Sequence, residues 1–216
     1  MNLILFGAPG VGKGTQAVEL AKKFNLTHIS TGEIFREIIA SHSELGELAN
    51  SYISKGNLVP DDVTVGIVKE RLAQEDCKNG FILDGFPRTL PQAECLDNIC
   101  LELNMNIDCV IDIEVDEDEL IKRLSGRRVC KSCGASYHID LNPSKVENVC
   151  DKCNGELYTR KDDHKESVAV RLMTYKSSTM PLINFYKAKG LLVEINGQQE
   201  INEVLNEIVE KIGEKL

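Results

Sequence analysis

The sequence predicts an α/β fold in which five parallel strands alternate with helices and two inserted segments interrupt the rhythm. Three observations carry that prediction. The apolar run Asn2 to Phe6 leads into Gly7-Ala8-Pro9-Gly10-Val11-Gly12-Lys13-Gly14-Thr15, then into a helix with Ala17, Leu20, Ala21 and Phe24 at helical spacing. Further short apolar runs at 26–29, 81–83, 109–113 and 191–195 are separated by helical patterns, as expected of strands buried on both faces. Between residues 126 and 163 the rhythm breaks, and four cysteines gather there.

The first strand, glycine loop, lysine and helix form the phosphate-binding pattern G-x-x-x-x-G-K. Glycines let backbone N–H groups turn around an anion, the helix N-terminus adds partial positive charge, and Lys13 supplies a mobile full one. The position after the lysine, commonly a magnesium-binding Ser or Thr, is Gly14, with Thr15 one place later. A metal bound here rests on phosphate oxygens and water, which argues against switch GTPases and motor ATPases.

Composition narrows the function further. A chain of 216 residues, 42% hydrophobic and 27% charged, has room for one good core plus an inserted module. No run reaches the length of a membrane span and the N-terminus enters a strand directly, so a cytoplasmic location is expected. A formal charge of −9 speaks against nonspecific affinity for nucleic acid or acidic membrane. A polyanionic ligand must then be held by a local cluster of positive side chains.

Taken in order, Leu26 to Ile29 is the second strand, and Ser30 or Thr31 caps a helix bearing Ile34, Phe35, Ile38 and Ile39 on its apolar face. A further helix spans Ser43 to Lys55 and closes at Gly56-Asn57. The next runs from Asp61 to Glu75, with Asp61 or Asp62 as its N-cap. Phe81 to Leu83 is the third strand. Asp84 sits at its carboxyl end, the edge where open parallel sheets bind ligands, and is placed to organise Mg²⁺ beside a phosphate loop. Gly85 and Pro87 form a tight turn that aims Arg88 into the same crevice. Leu90 to Asn104 is helical, Cys109 to Ile113 is the fourth strand, and Asp116 caps a helix ending at Ser125-Gly126. Ser167 to Ala188 reads as one long helix, Leu191 to Ile195 as the fifth strand, and Glu200 to Leu216 as the closing helix.

Of the eight cysteines, Cys77, Cys95, Cys100 and Cys109 lie scattered among apolar or helical neighbours and read as reduced thiols. Cys130, Cys133, Cys150 and Cys153 form C-x₂-C-x₁₆-C-x₂-C, a zinc spacing. Four cysteine ligands leave no open coordination position, so this zinc is structural. His138 is read as a neighbour of that site, not a ligand.

The chain resembles the adenylate kinases. The resemblance rests on Gly7 to Thr15, Ser30-Thr31-Gly32-Glu33 with Arg36, and Asp84-Gly85-Phe86-Pro87-Arg88-Thr89. Gly126-Arg127-Arg128, Arg160-Lys161-Asp162-Asp163 and Arg171 extend it over essentially the whole chain, and the length and cysteine insert are similar to the long bacterial form. It implies a P-loop NTPase-like core (1–29, 61–125 and 164–216), a helical AMP-binding insert (30–60) and a zinc-binding lid (126–163). The implied reaction is Mg-dependent phosphoryl transfer, ATP + AMP = 2 ADP. ATP, AMP and ADP are then the partners of a monomer that binds neither nucleic acid nor membrane.

Carried onto matching positions, the resemblance assigns ATP to Gly10, Val11, Gly12, Lys13, Gly14, Thr15, Arg123, Arg127, Ser136, Tyr137 and the backbone at Gln199. AMP falls to Thr31, Arg36, Asn57, Leu58, Val59, Gly85, Phe86, Pro87, Arg88, Gln92, Arg160 and Arg171. Lys13, Arg88, Arg127, Arg160 and Arg171 form the catalytic set, with Asp84 holding Mg²⁺ through water. A UMP/CMP kinase or a GTP-using relative is the alternative within enzymes, against which Thr31 and Gln92 favour AMP. Outside enzymes, a zinc-bearing nucleic-acid module competes, and the −9 charge weighs against it.

Overall fold

The computed structural model describes residues 1–215. Five strands, numbered with the others in chain order, build an all-parallel sheet: β1 (Asn2–Phe6), β2 (Thr27–Ser30), β3 (Phe81–Asp84), β4 (Cys109–Glu114) and β8 (Leu192–Asn196). Their order across the sheet is β2-β3-β1-β4-β8. The central strand explains why the apolar runs are continuous and not alternating. Leu3 and Leu5 point to one face, where they meet Ala17 and Leu20 of α1 (Lys13–Phe24) and Val204, Ile208 and Ile212 of α9 (Ile201–Lys215). Ile4 and Phe6 point to the other, against α4 (Asp61–Leu72), α5 (Leu90–Glu102) and α8 (Pro181–Ala188). Leu3, Ile4 and Leu5 are essentially inaccessible, and each such side chain contributes about 1.5–3 kcal/mol of transfer free energy.

Two segments leave this core. Helices α2 (Thr31–Ala40) and α3 (Glu44–Ile53) form a flap with its own cluster of Phe35, Ala49 and Val59. Serine side chains cap both: Ser30 Oγ accepts from the Glu33 N–H, and Ser43 Oγ from the Gly46 N–H at 3.2 Å. The second segment follows α6 (Glu117–Ser125) and carries β5 (Arg127–Cys130), β6 (Ser136–His138) and β7 (Leu157–Tyr158), a small antiparallel sheet in the order β6-β5-β7. Its Gly134 faces the flap, with Glu33 Oε1 4.0 Å from where a Cβ would stand, so the two segments approach each other there.

The structure corrects several expectations. The helix predicted over Ser167–Ala188 is two helices, α7 (Lys165–Thr174) and α8, joined by a π turn at Tyr175–Thr179. Pro181 has no N–H to give Ser177, and the wider turn instead bonds the Met180 N–H to the Tyr175 carbonyl at 2.9 Å. Neither Asp61 nor Asp62 caps α4; Pro60 occupies that position and Asp61, the first helical residue, points elsewhere. Asp116 stands at the N-cap of α6 without a side-chain bond to it. Most other boundaries shift by one to three residues, and Leu216, the predicted end of the closing helix, lies outside the described residues. Among the described residues no helix is long and apolar enough to cross a membrane.

Candidate active site

The glycine loop runs from the end of β1 to α1 with no side chain capping the helix; the Thr15 N–H donates to the Gly12 carbonyl at 3.0 Å, and the Lys13 and Gly14 N–H groups are left for an anion. Gly7 is obligatory here: its φ is 132°, and a Cβ would sit 2.5 Å from the Ile113 carbonyl oxygen. Lys13 folds back over the loop and donates to the carbonyls of Gly7 (2.7 Å) and Ala8 (3.0 Å). Burial pushes its pKa down, the Asp84 carboxylate opposes this, and Arg88, Arg171 and Arg127 add repulsion; the outcome is about 8.

Asp84 ends β3 directly opposite the loop, its Oδ2 3.6 Å from the point where a Cβ on Gly14 would be. The hydroxyl missing at position 14 is thus replaced, in space, by a carboxylate from the neighbouring strand. His28 on β2 lies behind it, Nε2 to Oδ2 3.8 Å. Burial raises the Asp84 pKa, but the imidazole and the Lys13 charge outweigh it and hold the carboxyl below its usual range.

The turn after Asp84 sets Arg88. Gly85, at φ 84°, admits no side chain, because a Cβ would stand 2.8 Å from both Arg88 Nη2 and Thr31 Oγ1. Its carbonyl instead accepts from Arg88 Nε (2.8 Å) and from Thr31 Oγ1 (2.9 Å). Arg88 then lines a cavity between flap and core, together with Thr31, Arg36, Asn57, Leu58, Val59 and Gln92. Arg160 and Arg171 close the same cavity from the lid end and from α7. All but Phe86 and Pro87 of the AMP set therefore come together; those two are buried beneath the turn.

Four guanidinium groups around one small space need counter-charge, and two adjacent aspartates supply it. Asp163, with a wholly inaccessible side chain, accepts from Arg127 Nε at 2.7 Å and from Arg171 Nη1 at 2.9 Å. Asp162 pairs with Arg160 (Nε to Oδ1 2.9 Å) and with Arg171 (3.0 Å). Burial works to raise the Asp162 pKa, yet Arg171 and Arg160 hold it far below the carboxylate range. Arg171 is itself lowered to about 10, chiefly by burial against the pull of Asp162.

On the loop's other side Arg123 reaches from α6 to the Gly197 carbonyl (3.0 Å), beside Gln199. The Gln199 side chain bonds to the Asn196 carbonyl (3.1 Å), which leaves its backbone as the group to face a ligand. In the lid, Ser136 is exposed, whereas Tyr137 turns inward. Its phenol oxygen accepts from the Asp151 N–H at 2.9 Å and lies 3.4 Å from Cys150 Sγ, so the side chain serves the cysteine cluster.

The sulfur atoms of Cys130, Cys133, Cys150 and Cys153 all lie within 4.8 Å of one another, a group able to hold a metal ion. The Cys130–Cys153 and Cys133–Cys150 sulfurs are 3.4 and 3.6 Å apart, well beyond a disulfide bond. His138 is not one of this group: its Nδ1 accepts from the N–H groups of Asp140 (3.0 Å) and Leu141 (3.1 Å).

Comparison with known proteins agrees with this geometry. A family model described as adenylate kinase matches residues 5–191. The adenylate kinases of Caldicellulosiruptor bescii and Acetivibrio thermocellus are 54% and 56% identical over 213 residues, covering 99% of this chain and 99% and 98% of theirs. That of Bacillus licheniformis is 55% identical over 99% of this chain and 98% of its own. The chain belongs to the adenylate kinase family.

As an adenylate kinase family member it also shows what sequence reading missed. Asp162 and Asp163 neutralise three of the arginines, and their signal was available: two adjacent acids follow the basic pair Arg160-Lys161. Asp61 bonds to Thr89 and Gln92, a contact across 28 and 31 positions that no local pattern announces. A wider cleft of about 520 Å³ opens at the ends of β4 and β8, lined by Asp112, Glu114 and Tyr175 among others. It contains none of the arginines, which line the smaller cavity between flap and core instead.

Proposed function

We propose that this chain catalyses ATP + AMP ⇌ 2 ADP by direct phosphoryl transfer at the cavity between loop, flap and lid. The observation that carries this reading is the convergence of Arg36, Arg88, Arg160 and Arg171 on one space beside Thr31 and Gln92, with Lys13 within electrostatic reach of Arg88 and Arg171. Arg36 and Arg88 hold the AMP phosphate, and Thr31, Gln92 and the backbone at Asn57 to Val59 hold its base. Lys13 and the N–H groups of residues 10–15 hold the ATP phosphates, while Arg123 and the backbone near Gln199 face its adenine. Arg127, Arg160 and Arg171 stand where charge shifts from one nucleotide to the other.

Transfer between two phosphates needs no general base, because the acceptor oxygen is already anionic; positioning and charge neutralisation carry the rate. Forked guanidinium groups suit oxygens whose charge redistributes along the reaction. Mg²⁺ bound with ATP neutralises phosphate charge and aligns the oxygens, and Asp84 is the carboxylate placed to hold its water shell. The residues 30–60 and 126–163 act as closing units that exclude water from the reacting phosphate.

Zinc is the metal we assign to the lid. A tetrahedral tetrathiolate site has sulfur–sulfur edges of about 3.8 Å, close to the spacing of the four thiols. It supplies stability only, as no ligand position is left open. A cytoplasmic monomer acting on free nucleotides completes the proposal, supported by the −9 charge.

The test is a coupled assay of ADP formation from ATP or GTP with AMP, UMP, CMP and GMP in turn. ATP with AMP is expected to lead. Folded, magnesium-supplied protein that makes no ADP from that pair, or that prefers UMP or CMP, overturns the reading in favour of a related monophosphate kinase or none.

A further inference from the structure

Gln92 is 2% exposed, and both ends of its side-chain amide are engaged. Its Oε1 accepts from the Arg88 N–H at 2.7 Å, and its Nε2 donates to Asp61 Oδ1 at 2.7 Å. The other Asp61 oxygen accepts from Thr89 Oγ1 at 2.9 Å, and that hydroxyl in turn caps α5 by accepting from the Gln92 N–H at 3.2 Å. Asp61 therefore reaches from the first turn of α4 to clamp both the cap and the amide.

A primary amide has two N–H donors and two acceptor lone pairs. Here one of each is taken by protein, which leaves one N–H and one lone pair for the cavity that Gln92 lines with Thr31 and Arg88. Turning the amide over would set its NH₂ against the Arg88 N–H and its oxygen against a carboxylate. Both hydrogen bonds would be lost and both would become repulsive, in a buried place where unmet polar groups are costly. The order of donor and acceptor offered to a ligand is thus fixed.

We infer that Asp61 sets the choice of nucleobase by fixing the orientation of the Gln92 amide, so that a 6-aminopurine is taken and a 6-oxopurine refused. The inference rests on the reading above that Gln92 faces the AMP base. A 6-aminopurine offers a ring acceptor beside an amino donor, the complement of an amide N–H beside an amide oxygen. A 6-oxopurine of the same size carries a ring N–H beside an oxygen, so the same fixed amide meets donor with donor and acceptor with acceptor. Asn at position 61 can rotate its own amide to satisfy either arrangement of Gln92, so Asp61's half of the lock is released and the Arg88 N–H alone still opposes a turned amide.

The experiment measures kcat/KM for AMP and for IMP as phosphoryl acceptors with Mg·ATP. In Asp61→Asn the AMP-to-IMP ratio is expected to fall by roughly tenfold, mostly through a lower KM for IMP, since one of the two contacts that oppose a turned amide is removed while the Arg88 N–H remains. Thr89→Val, which removes the hydroxyl but leaves the Asp61–Gln92 contact, should lower thermal stability and leave the ratio where it was. An unchanged ratio in folded Asp61→Asn overturns the inference; should that variant not fold, Asp61→Ser reads the same ratio. Gln92→Ala separates the two levels. If it leaves the ratio unchanged, Gln92 does not face the base and the underlying reading fails. If it collapses the ratio while Asp61→Asn does not, that reading stands and the role of Asp61 falls.

Discussion

Each face of the parallel sheet is closed by a broad apolar cluster drawn from several helices, whereas the lid's own buried cluster is Cys130, Tyr137, Cys150 and Leu157. Two of those four belong to the cysteine group able to hold a metal ion. The sheet is held by burial of surface, which grows with the number of side chains it can enclose. A segment as short as the lid encloses too few, and its strands are only two to four residues long. Its order must come from a few strong, directional bonds. Two parts of one chain thus reach a folded state by different physics, and they should fail differently.

The largest expected effect tests this directly. Removing the metal with a chelator, or replacing Cys150 by Ser, should strip hydrogen-exchange protection from β5–β7 while β1 and β4 keep theirs, and lower the melting temperature by on the order of 10 °C. Simultaneous loss of protection in sheet and lid would mean that they form one cooperative unit. Next comes Arg88, which belongs to the core side. Arg88→Ala should lower kcat by roughly a hundred- to a thousandfold with little change in melting temperature, since its charge is placed for developing charge and not for packing. Near-normal turnover would remove it from the catalytic set.

A smaller effect probes a flaw inside the well-packed region. Asp112 on β4 is fully buried, and neither carboxylate oxygen has a partner. Burial, helped by Glu114, raises its pKa to about 6 from an ordinary 3.8. The folded state therefore binds a proton that the unfolded state has already released, and stability falls as pH climbs from about 4 through 6. Asp112→Asn should gain up to roughly 3 kcal/mol at pH 7.5 and little near pH 4, measured by denaturant titration at both. An equal gain at both pH values would show that charge is not the cause. The smallest effect returns to the lid: Tyr137→Phe removes the phenol bonds to Cys150 and Asp151 and should cost about 1 kcal/mol, with roughly tenfold weaker metal binding read by competition with a chromogenic chelator.

The contrast also explains what could be read from the chain. The sheet was legible because strands buried on both faces leave uninterrupted apolar runs, and the glycine loop because its backbone shape excludes side chains at Gly7. The strand order was not, since nothing local says that β1 lies between β3 and β4. The lid strands left no period to detect, as they are only two to four residues long and pack around the cysteine cluster. The break in the long helix had one signal, Pro181 behind the polar run Lys176-Ser177-Ser178-Thr179, which a continuous helical pattern obscured. Within the site, arginines in motifs were found and their aspartate partners were not. Acidic residues beside a turn read as solvated surface until the fold brings guanidinium groups to them.

That pairing has a consequence for how ligands come and go. Arg127, Arg160 and Arg171 do not wait as bare cations; Asp162 and Asp163 have already drawn them out of water and set their forks in place. Any anion that binds there would have to compete with a carboxylate already in place and covalently tethered, at guanidinium groups already largely drawn from water. The resting pairs thus set a threshold that any anion bound at this place must exceed.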